Sequence, residues 1–129
     1  MHAADLNKDG AVDVLSASGN RIAMYLNNGT GGFSSPINIS LESMVSVVYA
    51  VDLDMDGDMD VLSASSGQDR IMWHRNDGTG HFSSITLSLN VDGPNSLYAA
   101  DLDGDGDMDV LCTTKWGDKI SWYQMLFAD

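Results

Sequence analysis

The chain has 129 residues, 43% of them hydrophobic, and a formal net charge of −13 at pH 7. That length suits one domain able to bury roughly two-thirds of its unfolded surface. Six Lys and Arg against 19 Asp and Glu form no basic patch, which excludes nucleic acid and anionic lipid as electrostatic partners, and no apolar run approaches the ~20 residues that span a bilayer.

In chain order, residues 1 to 5 close a first strand and run directly into an acidic loop, leaving no room for a signal peptide. The loop reads Asp5-Leu6-Asn7-Lys8-Asp9-Gly10-Ala11-Val12-Asp13. It returns as Asp52-Leu53-Asp54-Met55-Asp56-Gly57-Asp58-Met59-Asp60 and as Asp101-Leu102-Asp103-Gly104-Asp105-Gly106-Asp107-Met108-Asp109. Oxygen-bearing side chains fall at positions 1, 3, 5 and 9, with Gly at position 6. A short loop wraps a hard cation such as calcium in this way: the odd positions turn inward, Gly takes the bend, and the carbonyl at position 7 adds a ligand. An EF-hand also needs a bidentate Glu at position 12 and flanking helices. Position 12 here is Ser16, Ser63 or Cys112, in strand-like sequence. The loops hold 13 of the 19 acids, so the acidity belongs to them and the remaining body is almost neutral.

Each loop leads into a second strand: Asp13 to Ser18, Asp60 to Ser65, Asp109 to Thr114. A turn follows, then a third strand: Arg21 to Tyr25, Arg70 to Arg75, Lys119 to Tyr123. The turns Asn28-Gly-Thr-Gly-Gly-Phe33 and Asp77-Gly-Thr-Gly-His-Phe82 precede a fourth strand, His81 to Leu89 in the second unit. The first strand of that unit lies around Val47 to Val51. These segments are short, rich in β-branched and aromatic residues, and bounded by Gly and Asn. Tyr49 to Tyr98 and Phe33 to Phe82 are each 49 residues apart, a period that points to a repeat array or propeller.

The expected fold is all-β, built of four-stranded antiparallel blades in one repeat domain. Blade one spans about 1–42, blade two about 43–91 and an incomplete blade three about 92–129, roughly 2.6 units where closed propellers have about four to eight. The tail from Tyr123 to Asp129, with Met125, Leu126 and Phe127, carries no Gly-Thr-Gly turn. The array is therefore a partial or open propeller, completed by further blades of a longer chain or by self-association. Strand three carries bulky groups on both faces, as a sheet between two neighbours requires. Leu6, Leu53 and Leu102 at loop position 2, and Val12, Met59 and Met108 at position 8, are expected to pin the loops to the core. His74 stands where the other units have Tyr and reads as packing, whereas Trp116 lies in a turn where the other units have Gly or Ser, which leaves a contact role open beside the packing one. Scattered His and Ser without a nucleophile elbow point to no enzyme.

The thrice-repeated Asp-x-Asp/Asn-x-Asp-Gly-x-x-Asp-Val-Leu, together with Asn/Asp-Gly-Thr-Gly-x-Phe-Ser, resembles the FG-GAP and VCBS repeats of the calcium-binding propeller of integrin α chains. The Phe-Gly and Gly-Ala-Pro signatures are absent, so the VCBS-like form is the nearer one. The resemblance covers nearly the whole chain and implies up to three calcium ions, one in each hairpin between strands one and two. Carried over by position, the ligands are Asp5, Asn7, Asp9, Ala11 carbonyl and Asp13 in the first loop. They are Asp52, Asp54, Asp56, Asp58 carbonyl and Asp60 in the second, and Asp101, Asp103, Asp105, Asp107 carbonyl and Asp109 in the third. The implied role is an extracellular or cell-surface interaction and adhesion scaffold with a protein ligand. The alternatives are a lectin-like glycan binder and the non-catalytic part of a propeller polysaccharide lyase.

Overall fold

Short β-branched runs separated by Gly-bearing turns give the chain its antiparallel sheets. The structure, a computed structural model, describes residues 1–88, 91–114 and 120–123. The first sheet contains β1 (His2–Ala4), β2 (Asp13–Ser18), β3 (Arg21–Tyr25) and β4 (Ile37–Ser40), adjacent in that order. The second contains β5 (Val45–Val51), β6 (Asp60–Ser65), β7 (Arg70–Asn76) and β8 (Phe82–Ser88), again in order. The third has β9 (Pro94–Ala100), β10 (Asp109–Thr114) and β11 (Ile120–Tyr123). Every pairing is antiparallel, which short hairpin connections permit and parallel pairing would not. The fold is all-β, a series of propeller-type blades, and none of the described sheets closes into a barrel.

One register recurs at each acidic loop. Asp13 lies opposite Ala4, Asp60 opposite Val51, and Asp109 opposite Ala100. The last acid of each loop is thus the first residue of the returning strand, and the loop is a hairpin tip. Expected and observed strands agree within two residues at each end for β5, β6 and β7. The fourth strand begins at Phe82, paired with Asn76, while Leu89 lies outside the described residues, as do Trp116, Lys119 and the tail with Met125, Leu126 and Phe127.

Two apolar layers join the sheets. Leu6, Leu15, Ile22 and Met24 of blade one pack against Val48, Ala50 and Val61 of blade two. Leu53, Leu62, Ile71 and Trp73 on blade two's other face pack against Leu97, Ala99, Val110 and Cys112 of blade three. Blade two is therefore covered on both sides. All of β6 is buried, and so is every residue of β7 from Ile71 to His74. Each fully enclosed Leu or Ile contributes about 1.5–3 kcal/mol, so the middle blade carries the densest apolar stabilisation. No described helix is long and apolar enough to cross a membrane.

Of the six expected loop anchors, only Leu6 and Leu53 are buried; Met59 and Met108 are half-buried against the inter-blade layers, and two are exposed. Val12 is 53% and Leu102 44% exposed, against 3% for Leu6 and 0% for Leu53. The residue type is right at both positions. Val12 and Leu102 lie on the outer faces of the two end blades, where no other described sheet meets them.

Candidate metal centres

The three loops share one backbone trajectory. Position 6 takes a left-handed φ in each copy (Gly10 86°, Gly57 95°, Gly106 94°), and so does position 4 (Lys8 60°, Met55 60°, Gly104 75°). Gly suits such angles because it has no Cβ to clash. The bend at position 4 was not legible in the sequence, since only the third copy places Gly there. The first acid braces each tip: Asp5 accepts from the N–H groups of Asp9 and Gly10, Asp52 from Asp56 and Gly57, and Asp101 from Gly104 and Gly106. The fifth-position acid accepts the N–H of position 7 at 2.9 Å in every copy, from Ala11, Asp58 and Asp107.

The ninth-position acid does a different job. Asp13, Asp60 and Asp109 are fully buried. Each accepts the N–H of the Leu at position 2, at 2.9, 3.2 and 3.0 Å. In the first two blades the other oxygen accepts from Asn27 or Asn76 at 2.8 Å. That Asn, the residue ahead of the Gly-Thr-Gly turn, was missed in the sequence, although its repetition before the turn was the available signal. Asn76 Nδ2 donates to Met59 O and also to Leu6 O of blade one, at 3.0 and 3.1 Å. One amide thus ties a loop, a turn and the neighbouring blade together.

The carboxylates do not converge equally. Asp101, Asp103, Asp105 and Asp109 offer oxygens all within 4.8 Å of one another, and so do Asp52, Asp54 and Asp56. Asp60 does not join the second group at that distance, and the first loop, with Asn7 at position 3, brings no three acids together among the described residues. Asp54 is the informative member. Its side chain is 7% exposed and its Oδ2 accepts from Arg75 Nε at 2.7 Å, yet its Oδ1 is buried with no hydrogen-bond donor. A buried unpaired carboxylate oxygen is costly unless a cation meets it. Burial, then the adjacent Asp56, raises the pKa of Asp54 despite Arg75. Asp103 is raised by local desolvation and by Asp105, which outweigh the Asp105 N–H. For Asp60, burial pushes the value up to about 6 against the N–H groups of Asn76 and Leu53 and the Trp73 indole. The donor set is all oxygen, crowded and partly desolvated, and it fits a hard divalent cation.

Lys8, beside the first loop's ligand positions, reaches across to the second loop and meets Asp58 Oδ1 at 2.8 Å. Next to Asp56 and Arg75, a cleft of about 360 Å³ is also lined by Asn76, Asp77, Ser83 and Ile85. Elsewhere, Glu42 is buried, paired with Arg70 Nε at 2.7 Å and accepting the Ser63 hydroxyl at 2.9 Å. Ser63 Oγ is then left to accept from His74 Nε2–H at 2.9 Å, and His74 Nδ1 accepts from the Ser84 hydroxyl at 2.7 Å. Burial pushes His74 down to about 4, with Arg70 adding and Glu42 opposing. A hydroxyl beside an imidazole is thus present, but this ring is fully buried and a poor proton acceptor at neutral pH.

The profile of the family described as FG-GAP-like repeat matches residues 5–63 and again 52–112. The chain belongs to the FG-GAP-like repeat family. Each match begins on the first acid of a loop and runs through the following blade's loop into its second strand, so the FG-GAP-like unit straddles two sheets here. A comparison with curated proteins finds no match. In this FG-GAP-like chain the matched stretches contain all three acidic hairpins.

Proposed function

We propose that this FG-GAP-like array is a calcium-stabilised interaction scaffold rather than an enzyme, placed outside the cell or on its surface. The observation that carries the metal reading is Asp54 Oδ1, desolvated, unpaired and grouped with Asp52 and Asp56. The second and third loops have the stronger donor sets, and Asn7 with Lys8 makes the first the weakest. Calcium, when bound, would neutralise the clustered carboxylates and link strand one to strand two of the same blade. The chain's own part is to hold the tip open: Asp52 and Asp101 brace the bend, and Asp60 and Asp109 anchor it to the sheet. The position-7 carbonyls of Ala11, Asp58 and Asp107, and the buried acids Asp13, Asp60 and Asp109, complete the proposed ligand sets.

Thermal unfolding followed by circular dichroism is expected to shift upward by many degrees from chelator to millimolar calcium, because the ion binds the folded loops. Asp56→Ala and Asp105→Ala each remove part of that shift, while exposed Asp92→Ala leaves it intact. Equal midpoints with and without calcium would falsify the metal reading. The extracellular placement rests on the family resemblance and on the weak affinity expected of structural modules, dissociation constants of roughly 10⁻⁴ to 10⁻³ M. Sub-micromolar affinity at every loop by titration calorimetry rules that placement out.

The cleft beside Arg75, Asn76, Asp77 and Ser83 favours a second reading, a saccharide or other small polar ligand, since its size falls within the range of small-molecule sites. A glycan array run with the wild type and Asn76→Ala separates this from a purely protein-binding surface. No signal with the wild type leaves the scaffold reading alone.

A further inference from the structure

The two inter-blade layers use the same positions, and the chain presents one unmatched half of that layer at each end. The face each blade turns toward the next carries Leu6, Leu15 and Ile22 on blade one and Leu53, Leu62 and Ile71 on blade two, none more than 3% exposed. On blade three the same face is open at Leu102, 44%, and Ile120, 76% exposed, with Leu111 half-buried between them. The opposite face carries Val48, Ala50 and Val61 on blade two and Leu97, Ala99 and Val110 on blade three, again all buried. On blade one its counterparts are Met1, 93% exposed, with Ala3 exposed and Val14 half-buried. A shallow cavity of about 380 Å³ opens there, lined by Met1, His2, Ala3 and Val14.

A ring ladder crosses the blades in the same sense. His2, Tyr49 and Tyr98 each stand three residues before a loop's first acid. The rings of His2 and Tyr49 are 4.9 Å apart and those of Tyr49 and Tyr98 are 5.8 Å apart. His2 Nδ1 also accepts the Ala50 N–H of the next blade at 3.0 Å. Among the described residues Tyr98 is the last ring of the ladder, 53% exposed.

We propose that the exposed blade-three face (Tyr98, Leu102, Ile120) receives the exposed blade-one face (Met1, Ala3, Val14) of a second copy, head to tail. The new contact continues an interface the chain already makes twice, with His2 of the incoming copy against Tyr98. It is heterologous, so copies close into a ring or extend, according to the rotation per blade. Such an apolar face is unfavourable in water unless covered. Blade packing alone supports this, independently of whether the loops take calcium.

Light scattering coupled to size exclusion is expected to give at least twice the monomer mass at high micromolar protein, in calcium or in chelator. Tyr98→Ala with Ile120→Asp blocks one face, and Ala3→Arg with Val14→Asp blocks the other. Each double variant alone is expected to run as a monomer, and an equimolar mixture as a one-to-one complex through the two intact faces. Circular dichroism confirms that the variants fold. Should one fail, wild-type hydrogen exchange gives the same answer: protection at Tyr98 and Ile120 rises with concentration if the proposal holds. A wild-type monomer under both conditions overturns it. So does a single-face variant that still dimerises alone, because the contact would then be face to itself.

Discussion

His74 and Asp60 are both fully buried on blade two, and their titrations oppose each other. For His74 the folded pKa, about 4, lies below the unfolded value near 6.5. Its contribution is complete above pH 6.5 and is lost as pH falls through about 4, because only the unfolded chain takes up the proton in that window. The ceiling is roughly 3 kcal/mol at 1.36 kcal/mol for each pKa unit. Asp60 runs the other way in metal-free protein: its folded pKa of about 6 exceeds the ordinary 3.8, so its contribution is full below 3.8 and gone above about 6. Glu42 and Arg70, themselves 2.7 Å apart, are the charged groups facing His74. Urea unfolding across this window isolates the imidazole by difference: His74→Gln is expected to lose less stability than wild type between pH 6.5 and 4.5. Parallel losses would show that His74 is not what makes the fold acid-sensitive.

At the scale of the hairpin, the shared trajectory separates residues that carry chemistry from those that carry conformation. Gly57 sits at φ 95°, where a side chain is strained whatever the space around it. Gly57→Ala should cost about 1–2 kcal/mol in chelator. Met55 already occupies a left-handed φ of 60° while 61% exposed. Met55→Gly relieves strain but adds unfolded-state freedom worth about 0.5–1 kcal/mol, so the net change should lie near zero. Denaturant midpoints check both. A large loss from Met55→Gly would mean that its side chain, not its backbone, holds the loop. The sequence showed positions 1, 3, 5, 6 and 9 because their residue types recur. It hid the position-4 bend and the Asn27 and Asn76 braces, whose backbone angles and partners lie across the hairpin.

Across the whole molecule, stability should be graded along the stack. Among the described sheets, blade two alone has apolar neighbours on both faces, and repeat arrays gain stability from each interface a unit makes. Native-state hydrogen exchange is expected to be slowest in β6 and β7, by about tenfold or more over the matching amides of the end blades. Uniform protection in all three sheets would instead show a single cooperative unit. Self-association through the end faces would bring the outer blades toward the middle one, so the gradient belongs to dilute protein.

Local chemistry repeated along the chain was enough to set the class of structure. Strand-length runs of β-branched residues, Gly-bearing turns and thrice-spaced acids encode hairpins over distances of ten residues, and the period of 49 stacks them. Environment was decided by neighbours instead. Leu53 and Leu102 occupy the same loop position, yet one is sealed and the other open, because only Leu53 has another described sheet against its face of the blade. Likewise Lys8 meets Asp58 from the adjoining loop, Asn76 bonds Leu6 from another blade, and Glu42 reaches Ser63 and Arg70 across the sheet. Even the acids diverge: Asp109 joins its carboxylate group at 4.8 Å and Asp60 does not. Spacing places an oxygen in a loop, but the packing around that loop sets how far it stands from the next one.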